Sequence, residues 1–222
     1  MRRALARDSR QLRKTAYTFV AIVTVAASGA CTTEGLPEAS APAPSVSASS
    51  LAVRQTDDSG RRLPFETPFP NRWSINNNGS PYEPCTQIAP EVIEVSGLVV
   101  ASVKDAAASD FQTIRGCEWT YLDDELSSLS QIVGNIIDPD AGLEGHKALN
   151  SAATDWFPDR EIRNRRVLVG SITPSDCAVY VRSGDAVVVT AVTRFDTDRP
   201  STERICDMAA EFLQATIDGI PK

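Results

Sequence analysis

The residues of this 222-residue chain that could carry chemistry are a single histidine, two runs of acids, one cluster of arginines, three tryptophans and five cysteines. His146 lies in Glu144-Gly145-His146-Lys147, and any Ser-His-Asp chemistry would have to run through it. No Gly-x-Ser-x-Gly elbow accompanies it, and a histidine between Gly and Lys reads as a solvated helix residue rather than a general base. Two carboxylates facing each other across a cleft can hydrolyse glycosides, and Asp123-Asp124-Glu125 and Asp138-Pro139-Asp140 are the candidates. The first reads as a solvated loop between strands. The second opens like a calcium loop, but Gly142 comes one place early and Leu149 stands where the bidentate Glu belongs, so it reads as a turn. Arg160, Arg163, Arg165 and Arg166 form the one basic concentration on an acidic chain. Interleaved with Asp155, Asp159 and Glu161 they suit a solvated edge strand, where charge blocks sheet pairing; the sharper alternative is an anion-binding site for a phosphate or carboxylate. Trp73, Trp119 and Trp156 fit core or flank packing better than a sugar platform. No catalytic residue is assigned on these grounds, and the chain is not expected to be an enzyme.

The cysteines divide by position. Six basic residues, Arg2, Arg3, Arg7, Arg10, Arg13 and Lys14, precede an apolar run over 16–27, and Ser28-Gly29-Ala30 leads to Cys31. That is the basic, apolar and small-residue order of an export signal, and the run falls short of the roughly 20 residues a spanning helix needs. A cysteine directly after the small residues resembles the lipobox of bacterial lipoproteins, with Ser28 where that family usually has Leu. The resemblance implies lipid on the Cys31 sulfur, removal of 1–30 as a signal peptide, and a chain held on the extracytoplasmic face of the cell membrane. Cys85, Cys117, Cys177 and Cys206 remain, an even number in an oxidising compartment, and read as two disulfides. No Cys-x-x-Cys or clustered Cys/His spacing points to zinc, and no metal or cofactor is expected. Removing 1–30 takes six bases and Asp8, leaving 22−6=16 Lys and Arg against 29−1=28 Asp and Glu, a net charge of −12. Such a surface repels phosphate backbones, which excludes nucleic acid as a partner, and it disfavours adsorption to anionic headgroups. Membrane attachment therefore falls to the lipid on Cys31, where two or more acyl chains at ~0.8 kcal/mol per CH2 hold stably.

The elements that must position these residues follow from periodicity. Residues 31–70 read as the lipidated cysteine and a disordered Pro/Ala/Ser-rich spacer, with the prolines near 64–70 extended along the flank of a single domain over 71–222. Asn76-Asn77-Asn78-Gly79 predicts a turn. Pro90 and Gly97 bracket a short helix with Cys85 on or beside it, and 98–103 is a candidate strand. Cys117, Trp119 and Tyr121 alternate with Glu118 and Thr120 on a half-buried strand. Residues 129–137 fit strand or helix, with β-branched content favouring strand; 143–153 fits a helix and 162–172 a strand. Residues 177–182 and 186–192 flank Ser183-Gly184-Asp185 as a hairpin whose second strand, apolar on both faces, is central. Pro200 and Ser201 open a helix in which Ile205, Met208, Ala209, Phe212, Leu213, Thr216 and Ile217 form an apolar stripe, closed by Gly219 and Pro221. The fold class is α+β, an antiparallel sheet covered by a C-terminal helix, with two disulfides. Cys206 at the edge of that stripe has Cys177, at the start of a neighbouring strand, as its natural partner, and Cys85 then pairs with Cys117. Each bridge closes a loop of about 30 residues, worth roughly 3–4 kcal/mol.

Pro84-Cys85 ahead of a short helix, Cys117-Glu118-Trp119, Cys177-Ala178-Val179-Tyr180-Val181, and Cys206-x-x-Ala209 in a helix ending Ile220-Pro221 together resemble actinobacterial lipoproteins of the domain-of-unknown-function 3558 family. The resemblance covers about residues 71–222 and the lipobox-like start. It implies a cell-envelope lipoprotein with a small mixed domain and brings no catalytic residues. The expected function is thus a lipid-anchored envelope protein, a binding or accessory module for an envelope protein or ligand; the alternative is an envelope hydrolase using the acidic residues. A transport receptor would need two lobes to close around its ligand.

Overall fold

The run Ala186-Val187-Val188-Val189, apolar at every position, demands cover on both sides, and the fold is arranged around that demand. A computed structural model describes residues 52–107 and 109–222. Among them the elements run α1 (Pro84–Gln87), α2 (Pro90–Val95), a 3-10 turn (Val100–Ser102), β1 (Lys104–Asp105), β2 (Ile114–Thr120), β3 (Ser128–Asn135), α3 (Gly142–Leu149), β4 (Asp155–Trp156), β5 (Arg160–Ile162), β6 (Arg165–Ser171), β7 (Asp176–Ser183), β8 (Ala186–Thr193), α4 (Thr202–Thr216) and a closing 3-10 turn (Ile217–Gly219). The strands form one antiparallel sheet in the order β1-β2-β3-β8-β7-β6-β4, with β5 also paired to β6, so β8 is central as its composition predicts.

Alternation sorts the side chains. Leu129, Val133, Val167, Val169, Val179, Val181, Val188 and Val192 are buried in a single core with Ile205, Ala209, Phe212 and Leu213 of α4. Leu168, Val187, Tyr180 and Val189 point the other way and meet Ile136, Leu143 and Trp156 in a smaller cluster. Ser201 caps α4 by accepting from the Arg204 amide. The two two-residue hairpin turns differ: Gly184 alone takes positive φ between β7 and β8, the type II′ pattern, whereas Arg163 and Asn164 both do between β5 and β6, the type I′ pattern.

Both disulfides join the expected partners, Cys85 to Cys117 and Cys177 to Cys206, with Cα separations of 5.2 and 4.9 Å. The first fastens α1 to β2 and the second β7 to α4.

Three expectations need correction. Residues 52–70 are not spacer. Asp57, 4 % exposed, accepts from the amides of Ser59 and Arg61 and from Thr86 Oγ1 at 2.5 Å, while Gln55 exchanges two hydrogen bonds with the Thr67 backbone and Leu63 is buried. A polar segment folds here because side-chain carboxylate and amide groups supply partners for its backbone. Residues 98–103 are not a strand: Leu98 bridges Tyr121, and the chain then bends into the 3-10 turn while Ser102 Oγ accepts the Thr120 amide at 2.9 Å. His146 is not solvated but half-buried, its ring 5.3 Å from that of Tyr180. The expected signal peptide, Cys31 and the spacer up to residue 51 lie outside the described residues.

Candidate functional site

The four arginines of the basic run part company. Arg160 pairs with Asp207 of α4 at 2.8 Å, and Arg163 occupies the β5–β6 turn. Arg165 and Arg166, opening β6, instead line a shallow cleft of about 410 Å³ with Arg182 from the end of β7, Lys222, and residues 140–144 at the start of α3. Arg182 and Lys222 were not singled out from the linear sequence. The register that sets Val167 against Val181 carries Arg182 opposite Arg166, and pairing across strands was the only signal that could have found it.

Each cation is held differently. Arg166 bonds Asp159 through Nε at 2.6 Å and Glu144 through Nη1 at 2.6 Å, which raises its pKa. Burial alone would raise the Asp159 carboxyl, but hydrogen bonds from Arg166 and Lys147 hold it below the usual carboxylate range. Arg165 donates to backbone carbonyls only: Ile220 at 2.7 Å, Pro221 at 3.0 Å, Ile217 and Arg182. Burial lowers its pKa, and no carboxylate within 4 Å offsets this among the described residues. The guanidinium is stabilised by the carbonyl end of the closing helical turn, a dipole contribution rather than an ion pair. Arg182 bonds the Gly184 carbonyl at 2.9 Å and lies over Gly142, where a Cβ would come within 3.2 Å of its Nη1. The cleft thus gathers four cationic side chains against Asp140 and Glu144. With Arg165 committed to carbonyls and Arg166 to carboxylates, the Arg182 Nη groups and Lys222 are the donors turned to a small anion, in the positive field of the other two.

The acidic candidates serve their loops. Asp123 accepts from both Nη atoms of Arg194, at 3.2 and 2.9 Å, and Asp124 from the amide of Leu126 and the hydroxyl of Ser127. Asp138 accepts from the Ala141 amide ahead of α3. Among the described residues no group of His, Cys, Asp and Glu is placed to hold a metal ion, and no helix is long and apolar enough to cross a membrane. Trp119 is buried in the core, Trp156 packs on Tyr180, and Trp73 lies under the guanidinium of Arg72 at 4.7 Å.

A second charged group is wholly enclosed. Arg72 pairs with Glu83 through two bonds of 2.8 and 3.2 Å and with Asp105 at 3.0 Å; Arg115 reaches Glu83 at 3.2 Å and the carbonyls of Ser80 and Tyr82. Burial alone would lower the Arg72 guanidinium, yet Glu83 and Asp105 leave it raised; for Arg115 burial prevails and lowers it, as it raises Asp105. Enclosed beside the Cys85–Cys117 bridge, the group fastens the 72–83 segment to β2 rather than meeting a ligand.

A family model described as Protein of unknown function (DUF3558) matches residues 26–218. The chain belongs to that family. No curated protein and no solved structure matches it.

Proposed function

We propose that the chain is a lipid-anchored protein of the cell envelope, held at Cys31 on the extracytoplasmic face of the membrane, whose folded body is a binding or accessory module. The export order of the N-terminal residues and the lipobox-like Cys31 support the anchoring, and two disulfides in the body are consistent with an oxidising compartment. The observation that carries the binding reading is the cleft between α3 and the β6–β7 pair. On a mature chain of net charge −12 it collects Arg165, Arg166, Arg182 and Lys222, so it takes a phosphate or carboxylate of another envelope component.

Two measurements test this. Mass spectrometry of the mature chain should find an N-terminal Cys31 carrying lipid; an intact Met1 with an unmodified cysteine defeats the anchoring. NMR titration with inorganic phosphate should move the amides of Gly142 and Arg182 saturably, and Arg182→Ala should abolish that. Shifts confined to Arg160 and Arg163, or none, defeat the anion site.

A further inference from the structure

At the end of the sheet far from the basic cleft, three neighbouring strands leave large apolar side chains in solvent. Leu122 follows β2, Leu126 precedes β3 and Phe195 follows β8; they are 79, 76 and 60 % exposed. The loops are tied together, since the Phe195 amide donates to Ser127 Oγ at 2.9 Å and the Leu122 amide to the Gly97 carbonyl at 2.9 Å. The latter brings Val95, 83 % exposed at the end of α2, to the same place. Of these Leu122 lines a cleft of about 370 Å³, shared with Gly97, Tyr121, Arg194 and Met208. Exposed apolar groups gathered at one locus, unlike singly scattered ones, mark an interaction surface.

Arg194 fixes one wall of the cleft. The Arg194 side chain is 6 % exposed, with its guanidinium carbon 4.4 Å above the Tyr121 ring and its Nη atoms committed to Asp123 and Asp196.

Charge selects the occupant. The same loops carry Asp123, Asp124, Glu125, Asp196 and Asp198 against Arg194 and Arg199. Anionic headgroups are repelled from this rim, and so is a second copy bearing the same rim. Residues 32–53 of the chain itself carry Glu34 and Glu38 and no Lys or Arg, so they lack the complementary charge too. We propose that this end of the sheet docks a Lys/Arg-rich segment of a partner protein, placing its apolar side chains against Leu122 and Phe195 and its basic residues against the acidic rim. The inference shares with the functional proposal only the reading of the body as a binding module, and its test does not pass through the basic cleft or Cys31.

The probe is a fluorescent peptide of about a dozen alternating Lys and Leu residues, titrated into the full mature chain and followed by anisotropy. Binding should be saturable and salt-sensitive, and should weaken about tenfold or more in Leu122→Ser/Phe195→Ser, as loss of central apolar anchors predicts. Glu125→Gln/Asp198→Asn should weaken it and blunt its salt dependence. Ile137→Ser, at the opposite end of the sheet, should bind as the parent does, and an unchanged thermal transition with both disulfides formed verifies the fold of each variant. Equal binding of a Glu/Leu peptide, binding indifferent to the Leu122 and Phe195 changes, or no saturable binding overturns the proposal. So does capture of the chain by phosphatidylglycerol vesicles, or a concentration-dependent dimer, that the same substitutions abolish.

Discussion

Replacing Glu83 by Ala is the sharpest test of how the 72–83 segment is held. Glu83 is 1 % exposed and is the shared counter-charge of Arg72, 0 % exposed, and Arg115, 3 % exposed. Without it Arg72 keeps only Asp105 at 3.0 Å, and Arg115 keeps only uncharged carbonyls, so about one positive charge is left uncompensated in the interior. Breaking a buried pair in this way costs ~3–5 kcal/mol, and a domain of this size loses roughly 2–4 °C of melting temperature per kcal/mol. Glu83→Ala should therefore melt on the order of 10 °C lower, with both disulfides intact, in thermal unfolding followed by circular dichroism. Arg72→Met should also destabilise, and the Arg72→Met/Glu83→Ala double variant should recover at least ~1.5 kcal/mol relative to the sum of the two, as interacting neighbours do. A loss below ~1 kcal/mol for Glu83→Ala, or strict additivity, would show that water or local rearrangement compensates these charges and that the enclosed network is not what secures the segment.

Other outcomes follow from single features. His146 has its pKa lowered below the ordinary 6.5 by burial against Tyr180. A depressed folded value means that the stability linked to it is full above the unfolded pKa and declines as pH falls through the folded one; an NMR titration of this only histidine that returned 6.5 or higher would refute the burial argument. Gly116 has φ +156°, and a Cβ there would fall 2.1 Å from the Gln131 carbonyl oxygen across the β2–β3 pair. Gly116→Ala should cost ~3 kcal/mol or more, or abolish folding, and a variant with an unchanged melting temperature would contradict that register. Cys177→Ala/Cys206→Ala opens a loop of 29 residues and should cost ~3–4 kcal/mol by loop entropy; near-parental stability in chemical denaturation would place the bridge's value elsewhere.

What was legible from the residues is what periodicity and cysteine placement report. Period-2 alternation marked β2, the apolar run marked β8 as central, and the stripe from Ile205 to Ile217 marked α4 with Cys206 at its edge, because burial on a regular element imposes a repeat. The segment 52–70 escaped for the opposite reason: Asp57 and Gln55 build its structure through side-chain hydrogen bonds, which leave no repeat and look like the polar composition of a linker. Residues 98–103 misled because Leu98-Val99-Val100 has strand composition while a single side chain, Ser102, takes the hydrogen bond that pairing would need.

The enclosed charges, the acidic and apolar rim, and the Arg182 side of the basic cleft were illegible for a common reason. Arg72, Glu83, Asp105 and Arg115 are spread over 44 residues, and only the folding of 72–83 back onto β2 brings them together. Arg166 and Arg182 come together through strand register, and the pairing of β2, β3 and β8 brings the loops of Leu122, Leu126 and Phe195 to one end. An antiparallel sheet places every second turn at the same end, so residues far apart in sequence collect at its two rims whatever their local pattern. Here the rims differ in chemistry, one cationic beside α3 and one acidic and apolar beside α2. The two covalent staples, α1 to β2 and β7 to α4, join neither rim loop to the body, which leaves both rims available to partners while the layers between them stay fixed. If the phosphate and peptide titrations both succeed, occupancy of one rim should leave the affinity of the other unchanged within a factor of about two, since no two-state element links them; a larger change would reveal coupling through the sheet.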